Sequence, residues 1–214
     1  MGPTLRRTLE LKRADTKTKK LVDGTDYYAV NSKGAVPALQ LDNGQVLTEG
    51  VAIMQYLADQ KPESNLVPKA GTLARYRVQE WLNYITSEVH KSFSPLWVPT
   101  NDQAVKDYAL TNLKKKFDWL NTQLAGKQYL TGDTFTVADA YLFTVVNWSH
   151  PLGTDILSRD QLARACGLEV GERGGIVVDR PTARTMTRAP KRSASFDSQA
   201  SSSGTGGITT RRRR

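Results

Sequence analysis

The chain is poor in cysteine and lacks both long apolar runs and a basic-then-apolar leader, and each shortage excludes a class of protein. Cys166 is the single cysteine among 214 residues, so no disulfide can close within the chain, which suits a reducing compartment. No run of 18 apolar residues and no secretory signal pattern is present, so we expect neither a membrane span nor export. These shortages predict a cytoplasmic protein.

The net charge of +9 would suit a nucleic-acid binder, but the basic residues are unevenly distributed. Residues 180–214 hold nine Lys or Arg and one acid, whereas the first 179 residues hold 21 basic and 20 acidic side chains, a net charge of +1. The basic character therefore belongs to the tail. Its final "RRRR" offers phosphate contacts without interleaved aromatic residues or a recognition fold, so nucleic-acid binding there would be non-specific.

The first part of the chain, residues 1–64, mixes strand and helix signals. "TLEL" (8–11) alternates weakly, as a strand does. "VPALQL" and "QVLT" flank Asp-Asn-Gly, and Asn-Gly readily takes the positive φ angles of a tight primed turn, so residues 36–48 predict a β-hairpin. Thr48 is predicted to cap a helix over 48–59, and Lys61-Pro62 closes this part.

The second part, residues 65–158, is predicted to be helical over 69–150. Two long helices are indicated by apolar residues spaced three or four apart. The first stripe consists of Val78, Leu82, Ile85 and Val89, and the second of Leu113, Phe117, Leu120 and Leu124. "AGKQ" (125–128) breaks the second helix.

An acid precedes a third apolar helix in "TGDTFTVADAYLF" (131–143). Thr136 is a good N-cap, and Asp139 lies three residues later, where its carboxylate can reach back to the backbone N–H of the cap. Phe135 and Ala140 occupy the flanking hydrophobic-staple positions. A catalytic role for Asp139 is the alternative, and we predict the structural one.

The third part, residues 159–214, loses the helical pattern. Residues 180–214 consist mainly of Arg, Thr, Ser, Ala and Gly, which cannot bury enough surface to offset ordering, so we predict disorder. "LARACGLEVGERGGIVVD" (162–179) resembles a fragment of flavin-dependent pyridine-nucleotide disulfide oxidoreductases of the kind found in nitrite reductase large subunits. The fragment stops before the flavin-contacting stretch, so it implies no flavin site, and a fused or out-of-frame segment is our hypothesis.

Residues 8 to about 158 resemble the bacterial glutathione S-transferases, most closely the beta class. Three long stretches carry the resemblance: "DGTDYYAVNSKGAVPALQLDNGQVLTEGVAIMQYLAD", "RYRVQEWLNYITSEVHKSF" and "YLTGDTFTVADAYLFTVVNW". The resemblance implies an α+β fold, with an N-terminal thioredoxin-like domain, an all-α C-terminal domain and a disordered basic tail. It also implies a homodimer, with glutathione and a small electrophile as ligands.

By this resemblance glutathione, the co-substrate, lies on the first domain. The Val36–Pro37 bond would be cis and would present the Val36 backbone to the cysteinyl part of glutathione, although the residues alone favour a trans bond. Gly50 would bind the γ-glutamyl carboxylate through its N–H, and Glu49 the ammonium group. Without the resemblance, Glu49 is simply an acid in the first turn of a helix. Much of the family has Ser where Gly50 stands.

Three further positions complete the predicted site. Lys19 matches a base that approaches the glycyl carboxylate, although "KTKK" (17–20) alone is a solvated charge run. Asn83 and His90 are seven residues apart on one helix face, and by resemblance they point toward the thiol end of glutathione. His90 is the only catalytic candidate, and a lone helical histidine is more often inert. We predict no metal site.

The resemblance also predicts that the N-terminal domain lacks the family's first strand and helix. The family opens with a strand and a helix of some 20 residues. These carry the residue that activates the glutathione thiol, which is a Tyr, Cys or Ser in the family and a Cys in the beta class. This chain begins at what resembles the second strand, and no residue of those types precedes Asp26. We therefore expect "TLEL" to lack a partner strand, leaving only the hairpin and the Thr48 helix well placed in the first domain.

Three functional interpretations remain. The first is a glutathione transferase with impaired conjugating activity, because lowering the pKa of a thiol needs a donor or a positive dipole beside it. The second is a non-catalytic glutathione-binding or dimerising relic. The third is a basic-tailed nucleic-acid binder.

Overall fold

A computed structural model describes residues 9–149, 151–154, 169–170, 176–177 and 206–212. The chain divides into two compact units: residues 1–56 together with 184–214, and residues 57–183. Within these described ranges no helix is long and apolar enough to cross a bilayer.

A five-stranded sheet lies in the first unit. Its strands are β1 (Leu9–Asp15), β2 (Lys20–Leu21), β3 (Ala38–Gln40), β4 (Val46–Thr48) and β7 (Gly206–Arg212). They lie in the order β2-β1-β7-β3-β4. β1 pairs antiparallel with β2, and β3 pairs antiparallel with β4.

The middle strand, β7, comes from the tail and corrects two predictions. It runs antiparallel to β1 over the whole length of β1, and parallel to β3 with Ala38 opposite Thr209. "TLEL" therefore does not lack a partner, and the predicted disorder of 180–214 is wrong for residues 206–212. The rest of that segment lies outside the described residues. Pairing both edges of β1 satisfies backbone groups that would otherwise be left open, and the β-branched run Ile208–Thr210 favours a strand.

Within the oxidoreductase-like segment 162–179, the structure describes only two short strands. β5 (Glu169–Val170) pairs antiparallel with β6 (Ile176–Val177) in a separate two-stranded sheet. The remainder of the segment, and with it the resemblance drawn from it, lies outside the described residues.

The predicted hairpin forms with the expected Asp-Asn-Gly connection (42–44), but the turn conformation differs from the prediction. Ala38 lies opposite Thr48 and Gln40 opposite Val46. The Gly44 N–H donates to the Leu41 carbonyl at 2.9 Å, and within the turn only Gly44 has a positive φ, of 83°. The predicted primed turn with two positive φ angles is therefore wrong, and a three-residue loop with its glycine in the left-handed region replaces it.

α1 (Gly50–Asp59) follows the hairpin and begins later than predicted. Thr48 ends β4 and does not cap the helix. Glu49 stands between strand and helix with a φ of 70°, and its carbonyl accepts the Ile53 N–H at 3.0 Å. The left-handed turn at Glu49 therefore directs the chain into the helix.

Helices make up most of the second unit. α2 (Leu73–Tyr84) begins at Thr72, whose hydroxyl accepts the Arg75 N–H at 3.2 Å, and it continues through a π-helical turn (Ile85–His90) into α3 (Lys91–Phe93). α4 (Gln103–Leu124) ends before "AGKQ", as predicted. Both predicted apolar stripes are buried, which confirms them as core positions.

α5 (Val137–Val146) carries the predicted capping box. The Asp139 carboxylate accepts the Thr136 N–H, the Thr136 hydroxyl and the Leu130 N–H, each at 2.8 Å. Burial raises the pKa of Asp139, and these hydrogen bonds oppose that rise. With its oxygens occupied by backbone and cap, Asp139 is a folding residue, as predicted.

Candidate functional site

The candidate site of the first unit is built on the loop that precedes β3. The Ala35 carbonyl accepts two hydrogen bonds, from the Tyr27 hydroxyl at 2.9 Å and from Asn31 Nδ2 at 2.6 Å. Both donors belong to buried residues. These two hydrogen bonds hold the peptide that leads into Val36 in place, so the fold fixes the orientation of the Val36 backbone.

The Val36–Pro37 bond is cis, as the resemblance implied. Pro37 lies beside the start of α1: a Cβ atom added to Gly50 would stand 3.7 Å from Pro37 Cδ and Cγ. Two segments that are distant in sequence thus meet, the start of β3 and the N-terminus of α1. That N-terminus carries free backbone N–H groups and the positive end of the helix dipole, which favour an anion.

Glu49, just before α1, is paired with a residue that the sequence did not indicate. Its carboxylate forms an ion pair with the Lys33 ammonium, which also donates to Thr48 Oγ1 at 2.9 Å. Sixteen residues separate Lys33 from Glu49, and no local spacing rule connects them. Only the packing of the loop against the β4–α1 junction brings them together.

Lys19 contacts the same loop. Its ammonium donates to the Gly34 carbonyl at 2.8 Å, two residues before Val36. The first unit therefore gathers around one loop the five site residues predicted for this part of the chain: Lys19, Val36, Pro37, Glu49 and Gly50.

The two remaining predicted residues belong to the second unit. Asn83 is exposed on α2, and His90 is half-buried at the end of the π-helical turn. The turn was not predicted, because the spacing of the buried residues fits an α-helix and carries no sign of a π turn. Such turns often occur at functional sites.

His90 has specific partners. Its Nδ1 lies 2.8 Å from the Tyr141 hydroxyl, and its ring meets the Trp148 ring edge-to-face at 4.6 Å between centroids. Burial, and secondarily the charge of Lys91, lowers the pKa of His90, so the imidazole is neutral at pH 7. A neutral, oriented imidazole can accept or donate a proton. Among the described residues, no three His, Cys, Asp or Glu side chains group as a metal site would need.

Two family profiles match the chain. The profile of the glutathione S-transferase N-terminal domain matches residues 4–60, and that of the C-terminal domain matches residues 79–166. The second match extends into 162–166, the start of the segment whose sequence resembles an oxidoreductase.

Relatives and solved structures agree with the profiles. Glutathione S-transferase GstA of Escherichia coli O157:H7 is 44% identical over 153 residues, which are 72% of this chain and 76% of that protein. A beta class glutathione S-transferase of Sphingomonas chungbukensis is 41% identical, with a TM-score of 0.69 over 73% of this chain and 78% of that one. A sphingomonad glutathione S-transferase complexed with glutathione is 38% identical, with a TM-score of 0.68 over the same shares.

The fold follows the same pattern, a thioredoxin-like N-terminal domain followed by a helical C-terminal domain. The chain therefore belongs to the glutathione S-transferase family, and it is similar to the bacterial beta class.

Proposed function

We propose that this chain binds glutathione on its first unit, as a co-substrate. The observation that carries the proposal is the meeting of Pro37 with Gly50, which places the segment leading into β3 beside a helix N-terminus. The Val36 backbone would pair with the cysteinyl part of the ligand as an added strand does. The Gly50 N–H would take the γ-glutamyl carboxylate, and Glu49 the ammonium group.

The other predicted residues have subsidiary roles in this proposal. Lys19 would release the Gly34 carbonyl and take the glycyl carboxylate, since an ammonium pairs more strongly with a carboxylate than with a neutral carbonyl. Asn83 and His90 would contact the thiol end. His90 is the proposed proton acceptor, because its ring is neutral at pH 7.

We propose that the reaction is transfer of the glutathione thiol to a small electrophile, at a rate below that of the chain's relatives. By the family resemblance, the family's first strand would lie between β1 and β3, parallel to β1 and antiparallel to β3. β7 fills this slot but runs in the opposite direction, antiparallel to β1 and parallel to β3. Its sequence, "GGITTRR", contains no Cys, Tyr or Ser. This supports a site in which β7 contributes no thiol-activating residue, and His90 is the proposed activating group among the described residues.

Retention on immobilised glutathione, with release by the free tripeptide, tests the binding proposal. Turnover of a chromogenic electrophile by the released protein then separates a transferase from a non-catalytic binder. Slow turnover that is lost in His90→Gln supports the transferase. Retention without turnover supports the relic, and absence of both retention and calorimetric binding at millimolar glutathione contradicts glutathione binding.

Further proposals come from the sequence. We propose a cytoplasmic homodimer, as the family resemblance implies, and a fused or out-of-frame origin for the divergent part of 159–214 that follows the profile match at residue 166. The second candidate function is non-specific nucleic-acid binding through the basic tail, favoured by nine Lys or Arg against one acid in 180–214. A DNA mobility-shift titration in rising salt tests it, because such binding weakens steeply with ionic strength.

A further inference from the structure

The N-terminus of α1 already holds an ammonium group, that of Lys33. Lys33 Nζ forms an ion pair with the Glu49 carboxylate and donates to Thr48 Oγ1 at 2.9 Å. In the proposed function, the same carboxylate receives the ammonium group of the γ-glutamyl ligand. The Glu49 carboxylate thus has two possible cationic partners, the ammonium group of Lys33 and the ammonium group of the ligand.

The loop presents Lys33 on a fixed backbone. Asn31 Oδ1 accepts the Lys33 N–H at 3.1 Å, and the Asn31 carbonyl accepts the Gly34 N–H at 2.8 Å. Asn31 is buried and also holds the Ala35 carbonyl. Because the backbone is already ordered, pairing with Glu49 restricts only the Lys33 and Glu49 side chains, which makes the internal contact easy to form.

We propose that Lys33 is an intramolecular competitor for the amino group of the ligand, an inference that rests on the proposed function. Two ammonium groups on one carboxylate repel each other, so a γ-glutamyl ligand binds more tightly once Lys33 has left Glu49. The hydrogen bond from Lys33 Nζ to Thr48 Oγ1 must then break as well. The ligand's α-carboxylate does not require Lys33, since the Gly50 N–H and the α1 dipole receive it.

The competition is weak because the Lys33–Glu49 ion pair is exposed to solvent. The Lys33 and Glu49 side chains are 50% and 69% exposed, and ion pairs of that exposure contribute little to stability and are screened by salt. Ligand at millimolar concentration therefore displaces Lys33 from Glu49. An amine that binds Glu49 more weakly than Lys33 does is excluded. A ligand without the α-amino group leaves the Lys33–Glu49 pair intact and experiences no competition.

Calorimetry at low salt tests this with Lys33→Met and a matched control, Lys69→Met, which removes the same charge from an exposed site in the second unit. We expect glutathione to bind Lys33→Met about two- to fivefold more tightly than the native chain, the range of an exposed pair. Lys69→Met should bind as the native chain does. The gain should disappear in a Glu49→Ala background, because the contested carboxylate is then absent.

Glutaryl-cysteinyl-glycine, which is glutathione without its α-amino group, supplies the second arm. Its affinity should not rise in Lys33→Met. Equal glutathione affinity in the native chain and Lys33→Met overturns the competition while leaving the proposed function in place. Weaker binding by Lys33→Met also overturns it, because Lys33 would then contact the ligand's carboxylate. Absence of glutathione binding in every variant overturns both proposals.

Discussion

Asp139 reaches back across the first turn of α5 to Thr136, accepting both its backbone N–H and its hydroxyl at 2.8 Å. The other carboxylate oxygen accepts the Leu130 N–H at 2.8 Å, so one side chain joins the helix start to the preceding loop. All of these groups are buried. This carboxylate thus fixes a junction of the helical unit.

Replacing Asp139 by Ala should lower the free energy of unfolding by about 3 kcal/mol, because three buried donors lose their acceptor and each unsatisfied group costs about 1–3 kcal/mol. Urea denaturation measures the loss. Asp133→Ala, at an exposed acid in the same loop, is the control and should change stability by less than about 0.5 kcal/mol. Equal effects of the two substitutions would remove the capping role.

His90 should titrate below the ordinary histidine range, because burial and the Lys91 charge both disfavour its protonated form. The unfolded chain then binds the proton first as pH falls below about 6.5, so the free energy of unfolding should decrease from there down to the folded pKa. Proton NMR of the imidazole measures the pKa, with His150→Gln leaving a single histidine signal. A midpoint at or above 6.5 would contradict the burial of the ring.

Ending the chain at residue 205 should expose the edges of β1 and β3, since β7 pairs with both. Hydrogen exchange should become fast in Leu9–Asp15 and stay slow in α4. Removing only residues 213–214, which lie beyond β7, is the matched control and should change neither. Unchanged exchange in β1 after the longer deletion would return residues 206–212 to the disorder that their composition predicted.

Much of the helical unit could be predicted from the sequence because its signals are local. The stripe from Val78 to Val89 follows from spacing, and the α5 cap follows from the interval between Thr136 and Asp139. The cis geometry of Val36–Pro37 came only from the family resemblance, since cis bonds are the minority for any X–Pro pair.

Other features depend on contacts that no local pattern contains. β7 was not predicted because residues 180–214 are mainly polar, and the β-branched run Ile208–Thr210 is a short signal within them. The Lys33–Glu49 pair joins a loop to a helix start through tertiary packing. Threonine is a good N-cap, and the sequence therefore predicts Thr48 as the helix cap. In the fold Thr48 instead pairs with Ala38 in the β3–β4 ladder, and the left-handed turn lies at Glu49.

Binding of glutathione to the native chain and to Glu49→Ala, measured by calorimetry, tests the central claim most directly. Glu63→Ala, at an exposed acid of the second unit, serves as the control. We predict millimolar binding by the native chain, about −4 kcal/mol, unchanged in Glu63→Ala and weakened by about 1–3 kcal/mol in Glu49→Ala, the loss expected for a charged hydrogen-bond partner. Identical binding by the native chain and Glu49→Ala would contradict the site, and absence of binding by the native chain would contradict the function.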